Sequence, residues 1–132
     1  MLRMPRLAYM RIAITGGPRT GKTTMAAEWP AHRIRHTDDL IGSHDWSEAS
    51  AEAATWFDSA ESFVIEGVAV PRALRKWLAA NPEGKPCDRV YWLTKAHTPL
   101  TAGQATMAKG CIKVWLEVLP GLRLRGVEVI DV

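Results

Sequence analysis

Gly16-Gly17-Pro18-Arg19-Thr20-Gly21-Lys22-Thr23, with Thr24 behind it, sets glycine corners around an amine and a row of hydroxyls. The spacing is G-x-x-x-x-G-K-[ST], and each residue type in it has a physical task on a polyphosphate. Glycines let the backbone turn so that successive N–H groups point inward at phosphate oxygens. Lys22 is a point charge able to reach the terminal phosphates, and the Thr23 hydroxyl can hold Mg²⁺. A helix that begins just after Gly21 adds the positive end of its dipole. The expected ligand of Gly16, Gly17, Pro18, Arg19, Thr20, Gly21, Lys22, Thr23 and Thr24 is therefore a nucleoside triphosphate, ATP, with Mg²⁺.

Two acidic positions could complete a reaction at that phosphate. Asp38 and Asp39 follow the stretch His32-Arg33-Ile34-Arg35-His36 directly. A carboxylate there can orient an acceptor hydroxyl and take its proton, and Asp38 is the preferred member of the pair. The competing reading is a turn-former or helix N-cap, which Asp residues often are. Glu66 ends the apolar run Ser62-Phe63-Val64-Ile65-Glu66, where a lone carboxylate needs a partner. Mg²⁺ beside a phosphate loop is the expected partner, and an arginine at the sheet edge is the alternative. Arg19, Arg72, Lys95, Lys109 and Lys113 are candidates to neutralise charge on a transferring phosphoryl group. Trp46, polar-flanked and close after Asp38, could stack on a base, with ordinary packing as the competing reading. His36, His44 and His97 show no metal spacing, and no role follows for them.

Elements of matching type surround these residues. Residues 11–15 form a β-prone run, and residues 22–29 read as a helix with Met25, Ala26 and Trp29 on one face, ended by Pro30. Strand, glycine loop and helix is the context the phosphate motif requires; without it the motif would be a glycine-rich turn of another α/β protein. Residues 32–36 alternate as a second strand. Asp45 and Glu48 form a capping box opening a helix to about residue 60, with Ala49, Ala53, Trp56, Phe57 and Ala60 on its apolar face. Residues 62–66 read as a strand buried on both faces, and Pro71 opens a helix carrying Leu74, Trp77 and Leu78. Residues 81–86 are a loop and 89–93 a strand. A polar connection over 94–103 leads to a helix striped by Met107, Cys111, Val114, Trp115 and Val118, which Pro120-Gly121 should end. Residues 127–130 close the chain as a strand. Strands alternating with helices predict an α/β domain over residues 10–132: three layers, with a mainly parallel five-stranded sheet and helices on both faces. Ligands of such sheets bind at the carboxyl ends of the strands, where residues 15–22, Asp38, Asp39, Glu66 and Lys95 all fall.

The 132 residues suit one domain, and a 47% apolar share is enough for a core without any run of membrane-spanning length. The net charge of +3 is mildly basic and fits a polyanionic partner without naming it. The basic opening, residues 1–9, lacks the apolar centre of a signal peptide and reads as an extension outside the fold. Cys87 and Cys111 lack metal spacing, so reduced thiols in a cytoplasmic protein are expected.

The order of these motifs resembles the small P-loop kinases that act on nucleosides, nucleotides and polynucleotides, over roughly residues 11–130. The resemblance implies that Lys22 and Thr23 bind the triphosphate and Mg²⁺. It implies that Asp38, with Asp39 beside it, orients the acceptor, as in polynucleotide-kinase-like members with an Asp-Asp pair. Glu66 matches the acid that ends the third strand, within a Val-Ile-Glu-Gly similar to uridine-type kinases. The implied activity is ATP- and Mg²⁺-dependent phosphoryl transfer to a hydroxyl of a nucleotide or nucleic acid. The lid departs from the family, since residues 94–110 hold Lys95 and Lys109 but no arginine. A short lid and a basic chain suit a large acceptor, such as a DNA or RNA 5′ end or a hydroxymethylated base in phage DNA. The alternative is a small ATPase or nucleotide switch with no acceptor. A guanine-specific GTPase is disfavoured because Thr94-Lys95-Ala96-His97 has histidine where a base-reading Asp belongs.

Overall fold

Five short runs of apolar and β-branched residues line up in parallel because a helical crossover returns the chain to the same edge each time. The computed structural model describes residues 10–42 and 44–132, so the expectation for residues 1–9 lies outside the described residues. The elements in chain order are β1 (Arg11–Gly16), α1 (Lys22–Ala26), β2 (Ile34–His36), α2 (Asp38–Ile41), α3 (Trp46–Trp56), β3 (Phe63–Glu66), α4 (Val70–Ala80), β4 (Arg89–Leu93), α5 (Ala102–Leu124) and β5 (Glu128–Asp131). The sheet order is β2-β3-β1-β4-β5, and every pairing is parallel. This is an α/β protein with a five-stranded parallel sheet, as the alternation of elements predicts. The central β1 lies where the strand order reverses, which puts the loop after it in the crevice such sheets use for ligands.

Alternation along the strands divides the core into two layers. Ala13, Ile65, Val90 and Trp92 pack on the side of α3, α4 and α5, whereas Ile12, Ile14, Val64 and Leu93 pack with Ala26 of α1. On the larger side Trp92 stacks on Trp115 with ring centroids 4.9 Å apart and planes 4° apart. Such a pair adds about 0.5–1.5 kcal/mol beyond its buried area and ties β4 to α5.

Several element ends differ from expectation. Helix α1 stops at Ala26 rather than near residue 29. The N–H groups of Glu28 and Trp29 bond back to Met25 and Ala26 at 3.1 and 3.0 Å, tightening the last turn before Pro30. Residues 31–33 form a 3₁₀ turn, so β2 begins only at Ile34. Asp45 and Glu48 do make the capping box, but α3 ends at Trp56; Phe57 then enters the core and Ala60 stays exposed. Helix α5 runs through Pro120 to Leu124 instead of ending there. Pro120 lies on the exposed side, so its missing N–H is lost on the wet face, while buried Leu122 holds the next turn to the core. Among the described residues, no helix is long and apolar enough to cross a membrane.

Candidate functional site

The loop between β1 and α1 is built from unusual backbone. Arg19 and Gly21 take φ of 61° and 89°. At Gly21 a side chain would be both strained and blocked, because a Cβ would sit 2.9 Å from the His97 ring. Thr20 Oγ1 donates to the Gly17 carbonyl at 2.9 Å and holds the turn closed. Lys22 is only 7% exposed, and its ammonium folds back to donate to the same carbonyl at 2.7 Å. Burial lowers the Lys22 pKa, opposed by the negative charges of Glu66 and Asp38. An ammonium desolvated against a neutral carbonyl gains from an incoming anion, which is the electrostatic condition for phosphate capture.

Glu66 ends β3 directly beside this loop and is 1% exposed. Thr23 Oγ1 donates to its Oε2 at 3.2 Å, and His36 Nδ1 meets the same oxygen. The parallel register explains the second contact, since His36 pairs with Glu66 across β2 and β3. Its side-chain partner on the neighbouring strand is thus His36, not the arginine that the sequence left open. The other oxygen, Oε1, is buried with no hydrogen-bond partner. Gly67 follows at φ 143°, and a Cβ there would lie 1.7 Å from Thr37 Oγ1. Only glycine lets Thr37 close in, and the Thr37 N–H then bonds the Glu66 carbonyl at 2.9 Å. This contact carries the chain straight into α2, which Asp38 opens.

Two cavities flank the loop. One, of about 450 Å³, contains Asp38, Arg19 and Lys22 on its polar side. Ile41, Trp46, Val68 and Met107 form its apolar walls, and Gln104 adds an amide. The other, of about 390 Å³, is bordered by Thr24, Met25, Glu28, Leu93, Lys95 and His97. The connection from β4 to α5 lies against the loop between them. His97 N–H bonds the Arg19 carbonyl at 2.8 Å, and the Arg19 guanidinium reaches Thr98 at 3.3 Å and Gln104 at 3.4 Å. Beneath the loop, Cys111 Sγ donates to the Gly16 and Val68 carbonyls at 3.6 and 3.7 Å, and burial raises its thiol pKa.

The carboxyl edge of the sheet therefore gathers the residues from Gly16 to Thr24 with Asp38 and Glu66. Asp38 and Asp39 are both exposed, but only Asp38 borders a cavity, the larger one. Lys95 falls in the second cavity, and Lys109 and Lys113 are exposed on α5. Arg72 borders neither cavity; its Cζ stands 5.1 Å from the Trp46 ring centroid. His36 and His97 are functional neighbours that reasoning from sequence passed over. For His36 the pairing with Glu66 appears only once β2 is known to lie beside β3 in parallel register. Among the described residues, no three His, Cys, Asp or Glu side chains gather around a metal position. Comparison with protein-family models finds no match, and comparison with curated proteins finds none either.

Proposed function

We propose that this chain is an ATP- and Mg²⁺-dependent phosphotransferase of the small P-loop kinase type, moving the γ-phosphoryl group to a hydroxyl of a nucleotide or nucleic acid. The observation that carries the reading is the placement of Lys22, Thr23 and Glu66 around one loop, with Asp38 lining the same cavity as Lys22. In this reading Lys22 leaves the Gly17 carbonyl and swings its ammonium onto the terminal phosphates of ATP. The loop's N–H groups cradle the same phosphates, and the smaller cavity takes the nucleobase of ATP, with Met25 and Leu93 as its apolar walls.

The residues present fit a magnesium ion. Thr23 Oγ1 and the orphaned Glu66 Oε1 are hard oxygen donors beside the phosphate position, and a buried carboxylate oxygen without a partner favours a cation. Bound there, Mg²⁺ would neutralise charge on the β- and γ-phosphates. Asp38 accepts the proton of the acceptor hydroxyl as its oxygen bonds to the γ-phosphorus. The bond to the β-phosphate oxygen breaks, and ADP leaves with the electron pair. Buried, unpaired Cys87 and Cys111 support a reducing cytoplasmic setting for this work.

The test is transfer of label from γ-labelled ATP to nucleosides, nucleoside monophosphates, 5′-hydroxyl DNA and RNA, and hydroxymethyluracil DNA. Label on an acceptor is the expected result. Phosphate released to water at one rate whatever is added would favour a plain ATPase or switch and leave Asp38 without a task.

A further inference from the structure

We infer that the larger cavity recognises its substrate by a nucleobase stacked on Trp46, whose indole Arg72 helps to hold; this rests on the kinase reading and names its acceptor class. The lining is the first reason. Trp46, Ile41, Val68 and Met107 make the walls apolar, and Gln104 is the one uncharged side chain there with a carbonyl and an amide N–H₂. A sugar or polyol could use Asp38, Arg19 and Lys22 but would leave the hydroxyls that face the apolar walls without partners. A flat heterocycle buries its faces on them and offers only its edge to an amide. Gln104 is prepared for that edge. Its Oε1 accepts from the Thr101 N–H at 3.0 Å and from Arg19 at 3.4 Å, so its N–H₂ is the group left to donate.

The second reason is how Trp46 is held. It opens α3 directly after the Asp45 cap, and that cap bonds at 2.7 Å to the Glu48 N–H. Arg72 holds its Cζ 5.1 Å from the indole centroid and does not itself border the cavity, whereas Trp46 does. Arg72 in turn is backed by α5 at Gly110, where a Cβ would lie 3.3 Å from its Nη2. A large aromatic side chain already fixed by a cap and a cation loses little freedom when a base arrives. The same cavity holds Asp38, so a base on Trp46 brings its attached sugar hydroxyl towards the carboxylate.

Calorimetric titration of thymidine, a 5′-hydroxyl thymidine dinucleotide and ribose into the wild-type protein and into Trp46→Ala and Trp46→Phe tests this. Thymidine or the dinucleotide should bind and ribose should not; whichever binds more tightly names the source of the base. Trp46→Ala should weaken binding about tenfold or more, and Trp46→Phe should stay within about threefold of wild type. Ribose binding as well as thymidine, or a cooperatively unfolding Trp46→Ala with wild-type affinity, would overturn the inference. Should Trp46→Ala not fold, Trp46→Leu keeps bulk without the π-face and is judged by the same criterion. Trp46-dependent base binding without any phosphoryl transfer would keep this inference and remove the kinase. Transfer to a non-aromatic alcohol alone would do the reverse.

Discussion

The two cavities beside the phosphate loop are similar in size, about 450 and 390 Å³, yet they offer different chemistry. The larger sets the Asp38 carboxylate and the Lys22 ammonium against an aromatic wall. The smaller also has a carboxylate and an ammonium, Glu28 and Lys95, but sets them beside Thr20, Thr24, Met25, Leu93 and Val132, with no tryptophan in its wall. Sheet topology produces the difference. To one side of β1 lie β3 and β2, whose ends deliver Glu66, α2 and Trp46; to the other lie β4 and β5, whose ends deliver Leu93, His97 and Val132. A loop at the reversal of strand order thus borders two unlike neighbourhoods, and a reaction joining two substrates needs that division.

The largest effect should come from the group at the divide. If the proposed transfer is right, Lys22→Ala removes the charge that would steady the transferred phosphoryl group, and kcat/KM should fall by about 10³-fold or more, measured as labelled product formed. A variant that kept a near-normal rate would remove the loop from the chemistry. His36→Ala should act next. Without its partner Glu66 is less well oriented, so the Mg²⁺ concentration for half-maximal turnover should rise by about 10–100-fold while ATP affinity without metal holds. An unchanged Mg²⁺ titration would reduce His36 to a packing residue. On the other side, Glu28→Ala should raise KM for ATP by about tenfold at most and leave the acceptor's KM alone. If the acceptor's KM moved instead, the two cavities would have to exchange substrates.

The smallest effect concerns the core that carries both sides. Burial pushes the Cys87 thiol up to about 12 from an ordinary value of 9.0. The thiol ionises less readily folded than unfolded. Its burial therefore stabilises the fold fully below pH 9.0, and that contribution is lost as pH rises towards 12. Thermal midpoints should show an added decline across that alkaline range in wild type that Cys87→Ala lacks, and thiol reagents at neutral pH should label neither cysteine before unfolding.

Much of this arrangement was legible in the sequence. Strand β4 falls on residues 89–93 as the alternation of Arg89-Val90-Tyr91-Trp92-Leu93 requires, and the Asp45–Glu48 box marks where α3 starts. Placement of Asp38 and Glu66 at one edge follows from parallel topology alone. What the sequence hid depends on tertiary contact. Pro120 reads locally as a helix stop, but its face is exposed and the core grips Leu122 two residues on, on the opposite side of the helix. The pairing of His36 with Glu66 needs the β2–β3 register, and the capture of Trp46 by Arg72 needs α4 beside α3. Neither separation in sequence carries a local signal.

In the proposed reaction ATP and the acceptor occupy opposite sides of the loop, and Asp38 serves only the acceptor. Asp38→Asn separates the two, with ATP affinity measured by calorimetry and label transfer measured under single-turnover conditions on the same preparation. An unchanged ATP dissociation constant is expected, with transfer slowed by about 10²–10⁴-fold. Full-rate transfer, or an ATP affinity that falls in step with the rate, would contradict it.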